Sequence, residues 1–284
     1  MENNQYSISH KTPFSANGEQ EFETRDSAVR SEHHADTIPY TLLHDIIISQ
    51  SQIEGNNHRQ RSQSCEDVMF IRSTPDFLFC GIADSQSNTK YGMDGGYCCL
   101  DAIFNYISTM GIGNLFNTSF PDELPCMFVQ EFRRKLLALA ESRNAELKEL
   151  SATLLAIVID LKSKKYMTLH IGDGCALGVQ NTGDISIISA PDNGASLYHT
   201  WLTTSLNAVS HFRITFGTLK YGMRILLMSD GATCFCKGRN ISRQAKELIR
   251  NGSPSELQSH LLNSNPSDDA SCIILDCIDN HLMP

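Results

Sequence analysis

Acidic residues stand where several apolar runs of this sequence begin or end. An apolar run buries its strand and fixes the backbone, so a carboxylate at its end points into the cleft that the strand ends share. Several carboxylates in one cleft repel one another and raise one another's pKa values, a penalty that a divalent cation removes. Oxygen ligands suit Mg²⁺ or Mn²⁺, and two such ions activate a water and hold phosphoryl oxygens. The residues in these positions are Glu66, Asp67, Asp84, Asp173, Asp230, Asp268 and Asp269.

Short runs rich in β-branched and aromatic residues predict the strands that must carry these carboxylates. The predicted strands are 44–49, 68–71, 77–82, 152–161, 166–171, 175–179, 185–188, 212–216, 224–228 and 270–277. Helical spacing of apolar residues predicts helices over 95–110, 121–150, 243–250 and 254–262. The polar stretch 56–64 predicts a loop or a hairpin connection. Strands in runs, followed by helices in runs, favour an α+β domain over alternating βα units.

Composition and charge limit the classes of function. The chain has 284 residues, 41% of them apolar, which suits a sizeable core, and its net charge of -9 argues against a nucleic-acid partner. No apolar run approaches the ~20 residues of a membrane helix, and the N-terminus does not resemble a signal peptide. We therefore expect a cytoplasmic protein with free thiols at its 10 cysteines. The polar residues 1–38 predict a flexible arm, and 39–280 a single domain.

A series of short motifs carries a resemblance to a known family. In chain order they are Glu66-Asp67, Ala83-Asp84, Leu150-Ser-Ala-Thr153, His170-Ile-Gly-Asp173, Met228-Ser-Asp-Gly231 and Ser267-Asp-Asp-Ala270. The order and the residue identities of these motifs resemble those of the protein phosphatase 2C family, in its smaller bacterial-like form. The resemblance extends over about residues 46 to 278. The most specific motifs are Ser229-Asp230-Gly231 and Asp268-Asp269, each beside an apolar strand.

The resemblance implies a fold and a reaction. The implied fold is a four-layer α-β-β-α sandwich of two antiparallel sheets flanked by helices, with metal ions in a cleft at one edge. The implied cofactors are two Mn²⁺ or Mg²⁺ ions and a third, weaker one. The implied reaction is hydrolysis of phosphoserine or phosphothreonine by a metal-bound hydroxide. We expect a monomer whose partner is a phosphorylated protein, such as a kinase or its target, with no nucleic acid or membrane partner.

The same resemblance implies roles for individual residues. Asp84 is similar to the aspartate that bridges the two metals, and the Ser85 carbonyl stands where the family uses a glycine carbonyl. Asp230 and Asp268 are similar to the other direct ligands. The remaining acidic positions are Glu66 and Asp67, implied to hold metal-bound waters, and Asp173, implied to bind the third metal.

Two departures from the family pattern bear on activity. Ser85 and Gln86 follow Asp84 where the family has Gly and often His, and an amide cannot replace a proton-donating histidine. The family's phosphate-holding arginine corresponds to Ser62. Arg61 and Arg59 lie close by in sequence, and a guanidinium grips a phosphate bidentately, so either is a candidate for that role. Both also suit a role as solvated loop charges.

These departures leave alternatives open. The leading interpretation is an active metal-dependent protein serine/threonine phosphatase, because Asp84, Asp230 and Asp268 are all present. The alternative is a catalytically weak relative that acts as a regulatory or binding module. A remote third possibility is an unrelated α+β domain with chance aspartate turns, which predicts no metal binding.

Overall fold

The computed structural model describes residues 40–194, 200–235 and 243–278, and the predicted arm lies outside them. Within these ranges the strands are β1 (Tyr40–Leu43), β2 (Ile46–Ile53), β3 (Asp67–Ser73), β4 (Phe77–Asp84), β5 (Leu154–Asp160), β6 (Lys165–Ile171), β7 (Cys175–Val179), β8 (Ile185–Ser189), β9 (Arg213–Thr218), β10 (Arg224–Met228) and β11 (Ala270–Cys277). The α-helices are α1 (Asn56–Arg61), α2 (Gly92–Met110), α3 (Ile112–Phe116), α4 (Leu124–Arg143), α5 (Ala208–His211), α6 (Arg243–Asn251) and α7 (Pro254–Ser264).

The described strands form two antiparallel sheets that pack face to face. One sheet has the order β1-β2-β11-β10-β7-β8 and the other β3-β4-β5-β6-β9. Their facing sides share one apolar cluster, to which β4 contributes Leu78, Cys80 and Ile82. Because side chains alternate across a strand, Phe77 and Phe79 of β4 point to the opposite face. The central strands are therefore buried on both faces and read as continuous apolar runs.

Helices cover the outer face of each sheet, which gives the four layers that the resemblance implies. Leu100 and Ile103 of α2 and Phe132 of α4 pack against the five-stranded sheet. Ile249 of α6 and Leu257 of α7 pack against the six-stranded sheet. Among the described helices, none combines the length and apolarity that a membrane crossing requires.

The structure corrects two sequence expectations. Residues 56–64 were expected to form a loop, but 56–61 form α1. The helix lacks apolar periodicity and is stabilised instead by tertiary hydrogen bonds. The N–H groups of Asn56 and Asn57 donate to the carbonyls of Pro266 and Ser267 at 2.8 and 3.1 Å. The single helix expected over 121–150 ends at Arg143, because Asn144 adopts a left-handed conformation with φ 49°.

Strand ends from both sheets meet at one end of the sandwich. In the five-stranded sheet β3 and β5 begin there and β4 and β6 end there, since all neighbours are antiparallel. In the six-stranded sheet β11 and β7 begin there and β2 and β10 end there. The predicted acidic residues flank these ends, so the topology brings residues that are far apart in sequence to one edge.

Candidate metal centre

Main-chain pairing fixes Asp67 and Asp84 beside each other. They are register partners on β3 and β4. The Thr153 N–H donates to the Asp84 carbonyl at 2.8 Å, and the Thr153 hydroxyl accepts from the Asp84 N–H at 3.0 Å. Both backbone groups of Asp84 are thereby occupied by the start of β5, which leaves its side chain to face the cleft.

The carboxyl of Asp67 is buried beneath the cleft. Asp67 is 3% exposed, and neither side-chain oxygen has a hydrogen-bond partner among the described residues. Burial raises the pKa of Asp67 to about 7, and the charges of Asp269 and Asp230 add to the effect, while the nearby Ser271 and Ser229 hydroxyls offset part of it. Such a group is stable in a folded protein only if it is protonated or if a cation reaches it.

Asp84 and Asp230 show the same strain from burial and like charge. Burial raises the pKa of Asp84 well above its usual range, and the charges of Asp67, Asp230, Asp268 and Asp173 raise it further. Burial and the charges of Asp173 and Asp268 raise the pKa of Asp230 to about 6. Oδ1 of Asp230 is also buried, and none of the described residues is its hydrogen-bond partner. The five aspartates therefore share one electrostatic environment.

Asp269 has a different setting from its neighbour Asp268. It is 2% exposed, and its Oδ1 accepts the N–H of Gly55 at 2.7 Å. Its Oδ2 accepts the N–H of Glu66 at 2.5 Å and lies 2.8 Å from His58 Nδ1. Asp268 is half-buried, and its Oδ1 accepts the N–H of Asp269 at 2.9 Å. Asp269 thus joins loops, whereas Asp268 keeps oxygen atoms available to the cleft.

Two glycines allow the turn at 268–269 to pack between its neighbours. A Cβ on Gly231 would lie 2.0 Å from the carbonyl oxygen of Asp269, and one on Gly55 would lie 2.3 Å from the carbonyl carbon of Asp268. Any larger residue at either position would displace the aspartate pair. The Gly in Ser229-Asp230-Gly231 therefore has a packing reason, which is the close approach of two backbones.

The other predicted acidic residues lie at the rim of the same cleft. Oδ2 of Asp173 accepts the Thr200 hydroxyl at 2.5 Å. The side chain of Glu66 is 28% exposed, and its Oε2 lies 3.7 Å from His58 Nε2. Both residues are therefore partly exposed, in contrast to the buried Asp67.

Ser85 is compatible with the position that the family fills with glycine. Its φ is not among the positive values, so a non-glycine residue has no backbone strain there. Its buried hydroxyl donates to the Glu66 carbonyl at 2.7 Å. The side chain thus ties the end of β4 to the residue that precedes β3.

The predicted arginines lie on the outer side of α1. Arg59 and Arg61 are exposed, and Arg59 Nη2 donates to Asn265 Oδ1 at 2.5 Å. Ser62, the position that matches the family's arginine, ends α1 with a left-handed φ of 53°. Neither guanidinium contacts the site aspartates in the described contacts. The proposed phosphate-binding role of Arg59 and Arg61 therefore requires that they reach a substrate at the rim of the cleft.

Sequence reasoning missed His58. It is 8% exposed and is directed inward from α1, where atoms of His58, Asp268 and Asp269 suited to metal binding lie within 4.8 Å of one another. The bond to Asp269 raises the pKa of His58 more than burial lowers it. The available signal was a lone histidine in a wholly polar stretch, and that stretch was predicted to be a loop.

The chemistry of this donor set suits a hard divalent cation. Among the described residues, none is a hydrogen-bond partner of the two Asp67 oxygens or of Oδ1 of Asp230, and those that contribute to the raised pKa of Asp84 are all acidic. A divalent ion bound by oxygen atoms would satisfy these groups and remove the mutual repulsion. The residues present therefore fit such an ion.

Comparison with solved structures agrees with the fold. The S. agalactiae serine/threonine phosphatase is 14% identical with TM-score 0.61, covering 82% of this chain and 100% of that one. The catalytic domain of the serine/threonine protein phosphatase PstP, in complex with two manganese ions, is 16% identical with TM-score 0.59, covering 82% and 99%. RsbX in complex with magnesium is 15% identical with TM-score 0.56, covering 84% and 98%.

These structural likenesses establish the fold, and the family assignment rests on the sequence. No curated protein sequence matches this chain significantly. The family model described as protein phosphatase 2C matches residues 54–264, a range that spans the acidic positions from Glu66 to Asp230. The match excludes an unrelated α+β domain with chance aspartate turns. The chain belongs to the protein phosphatase 2C family.

Proposed function

We propose that this protein hydrolyses phosphoserine and phosphothreonine in other proteins and requires two Mn²⁺ or Mg²⁺ ions, with a third ion bound more weakly. The observation that carries the proposal is the set of unpartnered oxygens on Asp67 and Asp230 in one strongly acidic cleft. When bound, the two ions would lower the pKa of a water and stabilise charge on the phosphoryl oxygens. The substrate is a phosphorylated protein, such as a kinase or its target.

We assign ion binding and water binding to different residues of the site. Asp84, Asp230, Asp268 and the Ser85 carbonyl hold the two ions, and Asp173 holds the third. Glu66 and Asp67 accept hydrogen bonds from water, and Asp67 has two open oxygens for this purpose. A water held there is oriented and has a proton acceptor within reach, which is the geometric requirement for general-base assistance.

Arg61 and Arg59 are the proposed phosphate-binding residues. Both are exposed on α1, which follows the strand end at Ile53 and precedes Glu66. Arg59 is bonded to Asn265, so Arg61 has the greater freedom to turn toward a bound phosphoprotein. A guanidinium that reaches the phosphate neutralises charge and fixes its orientation bidentately.

The test is hydrolysis of p-nitrophenyl phosphate and a phosphothreonine peptide, first with Mn²⁺ and then with excess EDTA. We expect activity that appears with Mn²⁺ and disappears with EDTA. Asp230→Asn should lower kcat at least about 100-fold because it removes a charged ligand. The matched control is Asp276→Asn at the other end of the β10–β11 pair, which should keep wild-type turnover per folded molecule.

Two results would contradict the proposal. Retained turnover in Asp230→Asn would remove that residue from the ligand set. Metal binding without hydrolysis of either substrate would instead support the alternative, a regulatory or binding module, and would assign the loss of catalysis to Ser85, Gln86 and the arginine displaced from position 62.

A further inference from the structure

The carboxylate of Asp269 joins three segments that surround the metal centre. It accepts from the backbone of Gly55 and Glu66 and is bonded to the imidazole of His58. Gly55 follows the end of β2, and Glu66 immediately precedes β3. Asp269 is not part of the proposed ligand set, yet it determines how the loop with Glu66 and Asp67 sits against Asp268.

Only one of these three donors belongs to a side chain. The N–H groups of Gly55 and Glu66 do not depend on residue type, whereas the bond from His58 does. Helix α1 turns His58 inward and leaves Arg59 exposed. The first N–H groups of α1 bind the carbonyls of Pro266 and Ser267, so α1 and the segment before Asp268 are already one unit. The hydrogen bond from His58 attaches that unit to the Asp269 carboxylate.

We propose that His58 is a positioning residue of the metal centre. Its Nδ1–H donates to Oδ2 of Asp269, because a carboxylate oxygen that already accepts a backbone N–H offers no proton in return. This bond holds Asp269 in the orientation that binds Glu66 and Gly55, and it thereby fixes Asp268 relative to Glu66 and Asp67. The inference rests on the proposed function, since it concerns the ions that these residues would hold.

The role differs from that of a metal ligand. Nδ1 of His58 is occupied by Asp269, and Nε2 faces Glu66 Oε2 at 3.7 Å. The ring is held by acidic neighbours on both sides. Groups that orient ligands in this way typically contribute roughly 10- to 100-fold to metal affinity.

The test compares His58→Asn with His58→Gln. The amide nitrogen of Asn falls near the position of His Nδ1 and keeps the donor to Asp269, whereas the amide of Gln lies one methylene farther out, on the Nε2 side. Mn²⁺ alone is titrated into EDTA-stripped protein by calorimetry. We expect affinity within about threefold of wild type for His58→Asn, and about tenfold weaker for His58→Gln and His58→Ala.

Helix propensity and general stability provide the controls. Asn is a poorer helix former than Gln, so tighter Mn²⁺ binding by His58→Asn cannot come from a more stable α1. Arg224→Ala removes an ion pair with Asp276 at the opposite end of β10. It should lower stability to urea and leave Mn²⁺ affinity unchanged, which separates destabilisation from loss of positioning.

The outcomes distinguish this inference from the proposed function. Wild-type protein that binds no Mn²⁺ would overturn both. If the wild type binds Mn²⁺ and both His58→Gln and His58→Ala bind it with the wild-type affinity, the role of His58 alone is overturned. Equal weakening in His58→Asn and His58→Gln would also overturn it, because the retained donor would then have no effect.

Discussion

The two ends of the β-sandwich place aspartates in opposite settings. At the end away from the candidate site, Asp45 is buried and pairs with Lys164, and Asp276 accepts two hydrogen bonds from Arg224 at 2.6 and 3.0 Å. At the site end, the Asp67 carboxyl and the Oδ1 atom of Asp230 are buried with no hydrogen-bond partner in the part of the chain that the structure describes. Described Lys and Arg residues pair with the aspartates at the far end, whereas no described Lys or Arg pairs with these oxygens, so the site end suits a bound metal cation.

Asp160 shows how an ordinary strand-end aspartate is satisfied. It ends β5 at the far end, and its carboxylate accepts the N–H groups of Lys162 and Ser163 at 2.9 and 3.1 Å. Burial opposes these bonds, but with the Ser163 hydroxyl they outweigh it and lower the pKa of Asp160. The pKa values of Asp67, Asp84 and Asp230 shift in the opposite direction. The direction of the pKa shift therefore depends on the hydrogen-bond partners and neighbouring charges of an aspartate, and not on its position at a strand end.

The largest expected effect comes from replacing one aspartate at each end. Asp84→Asn should abolish hydrolysis and raise the unfolding temperature in EDTA by about 3 °C or more, because it removes one of several repelling carboxylates. Asp45→Asn should keep activity and lower stability by about 2 kcal/mol, because it leaves Lys164 without its partner. Thermal unfolding in EDTA measures the change in unfolding temperature, and urea unfolding in EDTA measures the change in the free energy of unfolding. The same sign of change in the two variants would contradict the comparison.

The next effect is a pH dependence specific to the metal-free protein. A carboxyl whose pKa is raised by folding contributes stability that is complete below its unfolded pKa of 3.8 and is lost as pH rises through the folded value. With folded values of about 7 for Asp67 and about 6 for Asp230, unfolding temperature in EDTA should fall between about pH 4 and 7. The measurement is thermal unfolding across this range.

Bound Mn²⁺ provides the control for that experiment. Because the ion stabilises the ionised carboxylates, the fall in unfolding temperature should shrink or reverse when Mn²⁺ replaces EDTA. Asp67→Asn should reduce the fall in EDTA, since it removes the group that titrates near pH 7. An EDTA profile that rises from pH 4 to 7 would show that these carboxyls are not strained in the fold.

The smallest expected effect on stability is at Ser85, which stands where the family has glycine. Ser85→Gly should lower stability by about 1 kcal/mol, because it removes the hydrogen bond from the hydroxyl to the Glu66 carbonyl and frees the unfolded backbone. Hydrolysis should persist, since the carbonyl at this position remains. Urea unfolding and the phosphopeptide assay test the two parts. A gain of stability would mean that Ser85 is strained despite its φ.

The sequence predicts the buried part of the molecule better than its loops. Strands such as β4 and β5 are apolar on both faces, so their runs are visible without tertiary knowledge. Helix α1 is polar, and its N-terminus is held by Pro266 and Ser267, about 200 residues away in sequence. No local pattern encodes such partners.

The same limit applies within the candidate site. The aspartates are recognisable because each follows or precedes an apolar run. Asp268 and Asp269 are adjacent in sequence, and only the fold shows that Asp269 binds Gly55, Glu66 and His58 while Asp268 does not. The division between Asp268, which we propose as a metal ligand, and Asp269, which joins the loops, depends on contacts between residues about 200 positions apart in sequence.

The most direct test of the central claim is a crystal structure grown with Mn²⁺, with the anomalous signal of manganese used to locate the ions. We predict two strong peaks at the site end, at about 2.0–2.3 Å from oxygen atoms of Asp84, Asp230 and Asp268. Crystals with Mn²⁺ in the solution and no peak among these residues would contradict the account, as would ions bound only at the end that carries Asp45 and Asp276.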